Sequence, residues 1–369
     1  MNKKLRILVL ATGFPNLLVN TIRQFGHNLT VADPTDFDLY LSDSTRGFDS
    51  LYLRGRKITA SDFDAVISRI GGHRSLAEKI LHHLQHNLNI FCVQSGESIE
   101  ICADKFTCAQ IMSENSIKVP KQFYSCNPDS AAMIVEKLGG LPIILKELDG
   151  SKGKGIILLE SELQTNMTLQ SYLGSERKII LQEYIDNGNI DQRHIVCNGE
   201  IVNSMMRTAP GDDVRANLSL NGSGEKITPD QKVAEMCIKA VEAIPGLNFA
   251  GVDIMQVSGA DGKKTNYLIE INSNPGEKII GITGHNHYED LIRFVEKAVG
   301  FNQNDEGEDG ANVIASTEAT GETLQDQDGN FAESPDEKHE IQATAPTDER
   351  DTEPEEKGIL ESIVDFLFG

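Results

Sequence analysis

The stretch FAGVDIMQVSGADGKKTNYLIEIN, residues 249–272, decides how this chain is read. Two alternating apolar runs, Phe249 to Val257 and Thr265 to Asn272, flank the turn-forming segment Ser258-Gly-Ala-Asp-Gly-Lys-Lys, so the spacing predicts an antiparallel hairpin. Period-2 alternation puts Glu270 and Asn272 on the same face of the second strand, and pairing can bring Asp253 opposite them. Two carboxylates and an amide, with no His or Cys nearby in sequence, are hard oxygen donors that suit magnesium shared with substrate phosphates better than zinc. Each could instead be a solvated strand residue. Against that reading, both acids lie inside apolar runs, Val252-Asp253-Ile254 and Ile269-Glu270-Ile271, where an unpaired charge is costly.

Working upstream, strands are expected at PIILKEL (142–148), GIILL (155–159), KIILQEYI (178–185), RHIVC (193–197) and EIVNSMM (200–206), with a helix from Pro229 to Ala243. Asn198-Gly199 between two alternating runs is a hairpin signal. Residues 96–300 therefore read as an antiparallel α+β domain. Its first two strands are joined by Leu148-Asp-Gly-Ser-Lys-Gly-Lys-Gly-Ile156, where glycines 150, 153 and 155 let backbone N–H groups approach phosphate oxygens. The segment is not a P-loop, and alone it reads more readily as an ordinary turn. Lys146, embedded in the apolar strand before it, needs an anion. Lys105 opens a helix after Cys102-Ala-Asp, and Arg207 and Arg215 flank the loop 208–214. These four cations beside three oxygen ligands would balance a magnesium triphosphate, although each also reads as a surface base.

Residues 1–95 alternate short apolar runs with helical patterns: ILVLA at 7–11, a helix across 16–25, LTVAD at 29–33, DAVISRI at 64–70 and a buried run at 90–93. That rhythm is α/β. Beyond Gly300, 20 acidic and three basic residues give a net charge of −17, so most of the chain's −22 belongs to a tail. Residues 301–357 carry too little apolar surface to offset ordering, and an acidic disordered linker is expected there, followed by an amphipathic helix at 358–369 able to engage a partner.

The acidic balance argues against a protein that binds nucleic acid or an anionic membrane surface. The six cysteines form no CxxC pair, and no apolar run reaches the roughly 18 residues of a membrane span, so a cytoplasmic protein with reduced thiols is expected. His82 and His86, and His285 and His287, lie close in sequence but lack a completing ligand for zinc, and read as solvated side chains.

At this point the chain resembles the ATP-grasp superfamily, and within it the RimK-like amino-acid ligases. The resemblance rests on Arg54-Gly-Arg-Lys57, Phe63 to Ile67, Arg69-Ile-Gly71, Asp104-Lys105, Leu145 to Ile156, Gln182-Glu-Tyr-Ile185, Asp191-Gln-Arg193, Arg215-Ala-Asn217, Ala250 to Ile254 and Glu270-Ile-Asn-Ser-Asn-Pro-Gly276. These run in family order from about residue 5 to residue 299. The resemblance implies a small pre-ATP-grasp α/β domain over 1–95 and an ATP-grasp catalytic domain of two α+β subdomains over 96–300. By position it implies that Lys105 and Lys146 contact phosphates, and that Asp149, Gly150, Ser151, Gly153 and Gly155 belong to a lid over the triphosphate. It further implies that Glu183, Tyr184 and Asp191 hold the adenosine, and that Arg215, Ala216 and Asn217 meet phosphates, with Arg215, Lys146 and Asn217 catalytic. Arg207 and Arg193 fall at substrate positions, and Asp253, Glu270 and Asn272 match the magnesium ligands, with manganese as the alternative ion.

The implied reaction moves the γ-phosphate of ATP onto a carboxylate and lets an amine attack the acyl phosphate. An amino acid, glutamate, would thereby be joined to a protein or peptide acceptor such as a ribosomal protein C-terminus, by an enzyme expected to be a homo-oligomer. Relatives with that acceptor carry a second basic residue just after the position of Arg207; here it is Thr208, followed by Ala209 and Pro210. A small-molecule amino-acid ligase and a peptide-modifying enzyme stay open as alternatives. So does a nucleotide-binding scaffold acting through its tail.

Overall fold

The computed structural model describes residues 4–41, 50–124, 127, 130–147, 155–173, 179–209, 223–259 and 261–301. The acidic linker, the terminal amphipathic helix, most of the glycine loop and the Arg215-Ala-Asn217 segment lie outside these residues.

The chain opens with β1 (Arg6–Ala11), α1 (Asn16–Gln24) and β2 (Asn28–Ala32), then a small antiparallel sheet of β3 (Phe37–Tyr40), β4 (Ser50–Leu53) and β5 (Arg56–Lys57). β6 (Ala65–Arg69), α2 (Arg74–His82), a π-helical turn at His83–Asn87 and β7 (Phe91–Cys92) follow. The order β2-β1-β6-β7 is parallel throughout, the α/β arrangement expected for the first segment. β1 and β6 are buried almost along their length, as their unbroken apolar runs require. The small three-stranded sheet carries no comparable pattern and was not anticipated.

Two consecutive helices come next, α3 (Gly96–Ala103) and α4 (Lys105–Glu114). Ser95 caps the first by accepting from Ser98 N, and Asp104 caps the second by accepting from Phe106 N and Thr107 N, which sets Lys105 at the first helical position. Gly96 is packed so tightly on α2 that a Cβ there would stand 2.6 Å from the Glu78 carbonyl oxygen and 2.7 Å from its Cα. Backbone cannot swing aside as a side chain can, so Gly96→Ala is expected to cost about 1–3 kcal/mol in urea unfolding with an unchanged slope.

Four antiparallel strands then form the sheet β10-β9-β11-β8. They are β8 (Gln122–Tyr124), β9 (Ile143–Glu147) preceded by α5 (Ala131–Leu138), β10 (Ile156–Leu159) and, after α6 (Glu162–Leu173), β11 (Ile179–Glu183). One face packs against α5 and α6 through Ile134, Leu138, Ile143, Leu145, Leu159 and Leu181. The opposite face carries Lys146.

The last sheet, β14-β13-β12-β15-β16, is antiparallel and contains the hairpin read first. Its strands are β12 (Ile190–Cys197), β13 (Glu200–Thr208), β14 (Ser223–Lys226), β15 (Phe249–Ser258) and β16 (Lys264–Asn272), with α7 (Gln231–Glu242) between β14 and β15. Asn198 and Gly199 both take positive φ, 49° and 76°, the two-residue turn that Asn-Gly favours. α8 (Lys278–Thr283) and α9 (His287–Ala298) close the described chain. Leu5, Ile7 and Ile22 of the first segment share one core with Ile195, Phe249, Leu291 and Val295, while Val233, Cys237 and Val241 of α7 cover Val252, Ile254 and Ile271. Among the described residues no helix is long and apolar enough to cross a membrane.

Candidate active site

β15 and β16 are in register with Asp253 opposite Glu270, Val252 opposite Ile271 and Gly251 opposite Asn272, and a bulge follows immediately, where Ile254 pairs with Leu268. The bulge leaves Ile269 extra and ends the regular alternation at the two carboxylates. β12 lies on the other side of β15 with Arg193 opposite Asp253, and β13 brings Arg207 opposite Asp191. Six ionic or polar side chains therefore share one sheet face.

Asp253 is held by two guanidiniums. Arg193 donates from Nε to Oδ1 at 2.7 Å and from Nη2 to Oδ2 at 2.6 Å, and Arg207 Nη2 donates to Oδ2 at 2.9 Å. Arg207 also forks onto both oxygens of Asp191, at 2.5 and 2.6 Å, with its side chain only 4% exposed. Burial works against ionisation of Asp253, but Arg193 and Arg207 outweigh it and hold the carboxyl well below the usual carboxylate range. Burial raises the Asp191 carboxyl against the pull of Arg207. Burial disfavours the Arg207 charge as well, yet Asp253 and Asp191 raise its pKa. With the Asn272 amide oriented to satisfy both neighbours, its nitrogen donates to Glu270 Oε1 at 3.1 Å and its oxygen accepts from Arg193 Nη2 at 3.2 Å.

The four-stranded sheet and the start of α4 supply the facing cations, Lys146 and Lys105. Lys146, between Ile156 and Ile180 in the sheet register, donates to Gln182 Oε1 at 2.8 Å. Burial pushes its ammonium down to about 8, with Glu270 opposing and Lys105 assisting the shift. Lys105 Nζ stands 3.9 Å from Glu270 Oε1. A cleft between the sheets is lined by Lys105, Cys108, Val119, Gln182, Leu268 and Glu270, apolar along one stretch and charged at its end. Cys108 and Cys102 also border it, their thiols pushed up by burial and so unreactive.

Of the residues singled out from the sequence, Lys105, Lys146, Arg193, Arg207, Asp191, Asp253, Glu270 and Asn272 come together. Glu183 stands at the end of β11, where its carboxylate accepts from Lys121 N at 2.8 Å and pairs with Lys121 Nζ at 3.4 Å. Tyr184 lies on an acidic rim, its hydroxyl raised by burial and by Asp186 and Glu160. Asp191 sits in the arginine cluster. Gly155 takes φ +80°, and a Cβ there would stand 2.8 Å from Glu147 Oε2, so glycine is required. Asp149, Gly150, Ser151, Gly153, Arg215, Ala216 and Asn217 lie outside the described residues. Gln182 was overlooked as a site residue, although a polar side chain inside the apolar run KIILQEYI carries the same signal as Lys146.

The donor set fits a hard cation. A carboxylate has about four acceptor positions; the three arginine hydrogen bonds leave Asp253 Oδ1 with one, and the Asn272 oxygen likewise keeps one. Among the described residues no three His, Cys, Asp or Glu side chains form a metal set, so a cation here needs the Asn272 amide as a third protein donor. The His285–His287 pair does not compete: His285 bonds Asp290 at 2.7 Å, and His287 is not solvated as expected but fully buried at the start of α9, which pushes its imidazole down to about 3. Arg69 and Gln94 tie down the loop after Asn272, donating to Pro275 O at 2.8 Å and Ser273 O at 3.0 Å.

Residues 102–295 match the family model of the RimK-like ATP-grasp domain. A probable alpha-L-glutamate ligase 1 of Shewanella oneidensis is 32% identical over 252 residues, 68% of this chain and 81% of that protein. Among solved structures, the ATP-grasp ligase PsnB complexed with precursor peptide PsnA2 and AMPPNP superposes with a TM-score of 0.61 at 16% identity, covering 81% of this chain and all (100%) of that one. A D-alanine–D-alanine ligase from Bacillus anthracis complexed with ATP gives 0.55 at 17% identity, over 82% and 100%.

Proposed function

The chain belongs to the RimK-like ATP-grasp family of ATP-dependent ligases that form carbon–nitrogen bonds, and from that premise we propose that it joins glutamate to the carboxylate of a protein or peptide acceptor. The observation that carries this reading is the single sheet face bearing Asp253, Glu270 and Asn272, set against Lys105 and Lys146 across the cleft. Similarity to a probable alpha-L-glutamate ligase supports glutamate as the amine.

A carboxylate is a poor electrophile, so its oxygen must first take the γ-phosphoryl group, breaking the bond to the β-phosphate oxygen and releasing ADP. The amine nitrogen then attacks the acyl carbon, inorganic phosphate leaves, and the nitrogen loses its proton. This chemistry needs positioning and charge neutralisation rather than a protein nucleophile. Lys146 and Lys105 serve the phosphate oxygens, Lys146 held in place by Gln182. Asp253, Glu270 and Asn272 would hold Mg2+, which supplies charge neutralisation to the phosphates when bound. Arg207 with Arg193 keeps Asp253 ionised and oriented.

The test is ADP release by the purified full chain with ATP and Mg2+ across single amino acids, with and without cell extract, followed by intact-mass analysis of the extract proteins. Glutamate-dependent turnover with glutamyl additions to one protein is expected. ATP binding without ADP release under every combination would sink the ligase reading in favour of a scaffold, and turnover on free amino acids alone would move the acceptor to a small molecule.

A further inference from the structure

We propose that Arg193 is an exchangeable cation of the metal site: its guanidinium holds Asp253 and Asn272 until a divalent ion arrives with the nucleotide and takes their oxygens over. The inference rests on the cation site described above and concerns how that site is loaded.

The two arginines on Asp253 are not equivalent. Arg207 is anchored from behind by both oxygens of Asp191 and is 4% exposed, so it has nowhere to go. Arg193 is 17% exposed, and its described partners are two of the three proposed metal ligands, both oxygens of Asp253 and the amide oxygen of Asn272. A divalent cation bound to Asp253 and Asn272 would draw on the same oxygens, and the positive Arg193 head beside them repels it. The guanidinium is on a long stem and, unlike that of Arg207, keeps some exposure to solvent, so displacement needs only a rotamer change.

The charge balance points the same way. Asp191 and Asp253 are matched by Arg207 and Arg193, and Glu270 has Lys105 beside it. The face therefore offers a bare dication no excess negative charge. A nucleotide triphosphate brings that charge, engages Lys105 and Lys146, and frees Glu270 for the metal. The consequence is ordered loading: weak binding of metal alone and strong binding of metal with nucleotide.

This differs in sign from a purely structural role. If Arg193 merely oriented Asp253, its removal would weaken metal binding. If it competes, removal strengthens binding of the metal alone. The probe is Mn2+, with the free aqua ion counted by electron paramagnetic resonance in solutions of the full chain, with and without AMPPNP. Wild type should bind Mn2+ appreciably only with AMPPNP, and Arg193→Met should bind Mn2+ alone at least about tenfold more tightly than wild type, equivalent to about 1.4 kcal/mol. Equal or weaker binding by Arg193→Met overturns the proposal. Arg193→Lys keeps the charge but cannot fork across Asp253 and reach Asn272; it should show a smaller gain of the same sign, and if the Met variant does not fold, a Lys variant identical to wild type overturns the proposal. Failure of wild type to bind Mn2+ even with AMPPNP would instead remove the cation site itself, and this inference with it.

Discussion

Arg207→Leu should lose about 3–5 kcal/mol of folding stability in urea titration at neutral pH, the range for breaking one partner out of a buried ion pair. The substitution leaves Asp191 and Asp253 on the same face with one cation, Arg193, between two carboxylates, and burial already works against ionisation of both. The pH dependence distinguishes this from a packing defect. In wild type the folded Asp253 carboxyl is depressed, so its stabilising contribution is present above the unfolded carboxylate pKa and is lost as pH falls through the folded value. In the variant the carboxyls rise instead, and protonation relieves the repulsion. The deficit relative to wild type should shrink as pH falls. Asp191→Leu combined with Arg207→Leu should recover part of the loss, because an isolated buried charge is removed along with its partner. A double variant as unstable as the sum of both single ones would show that Arg207 acts through packing of its stem.

That cluster also marks where sequence reading stops. The hairpin 249–272 is legible because apolar alternation has one consistent period and both acids interrupt it. Lys146 is legible for the same reason, a charge in a strand whose alternate residues, Ile143 and Leu145, enter a core. The parallel order of the first sheet follows from buried runs spaced by helical patterns, and Asn198-Gly199 predicts its own turn. What alternation cannot supply is register between strands distant in sequence. Arg193 and Asp253 meet across 60 residues, and Arg207 and Asp191 across 16, in a sheet whose register shifts twice, after Ile195 and after Asp253. A one-residue slip in either pairing would send an arginine to the opposite face. The motif position of Asp191 gives no hint of its partner, and only the register sets it opposite Arg207. The short sheet of β3, β4 and β5 escapes notice because two to four residues are too few to show a period.

Lys146→Met should lower kcat/KM for ATP by about 10²–10³, the cost of removing one preorganised charge aimed at a transferring group. The larger information lies in its pH profile. Burial pushes the Lys146 ammonium down to about 8, so in the free enzyme it is charged at neutral pH and loses its proton just above. Because kcat/KM reports groups of the free enzyme, the wild-type profile should fall on the alkaline side with a midpoint near that value, and the Met variant should lack this limb. Persistence of the limb in Lys146→Met would assign it to another group. Stability moves in the opposite direction: between about 8 and the ordinary lysine value of 10.5 the unfolded chain binds a proton that the folded chain does not, so wild-type stability rises with pH across that window. The neighbours fix the sign of two further shifts. Glu270 raises the Lys146 pKa and Lys105 lowers it, so Glu270→Gln should move the alkaline limb to lower pH and Lys105→Met to higher pH. Opposite displacements from two variants that both weaken nucleotide binding cannot come from a general loss of structure. They require Lys146, Glu270 and Lys105 to share one electrostatic site across the cleft.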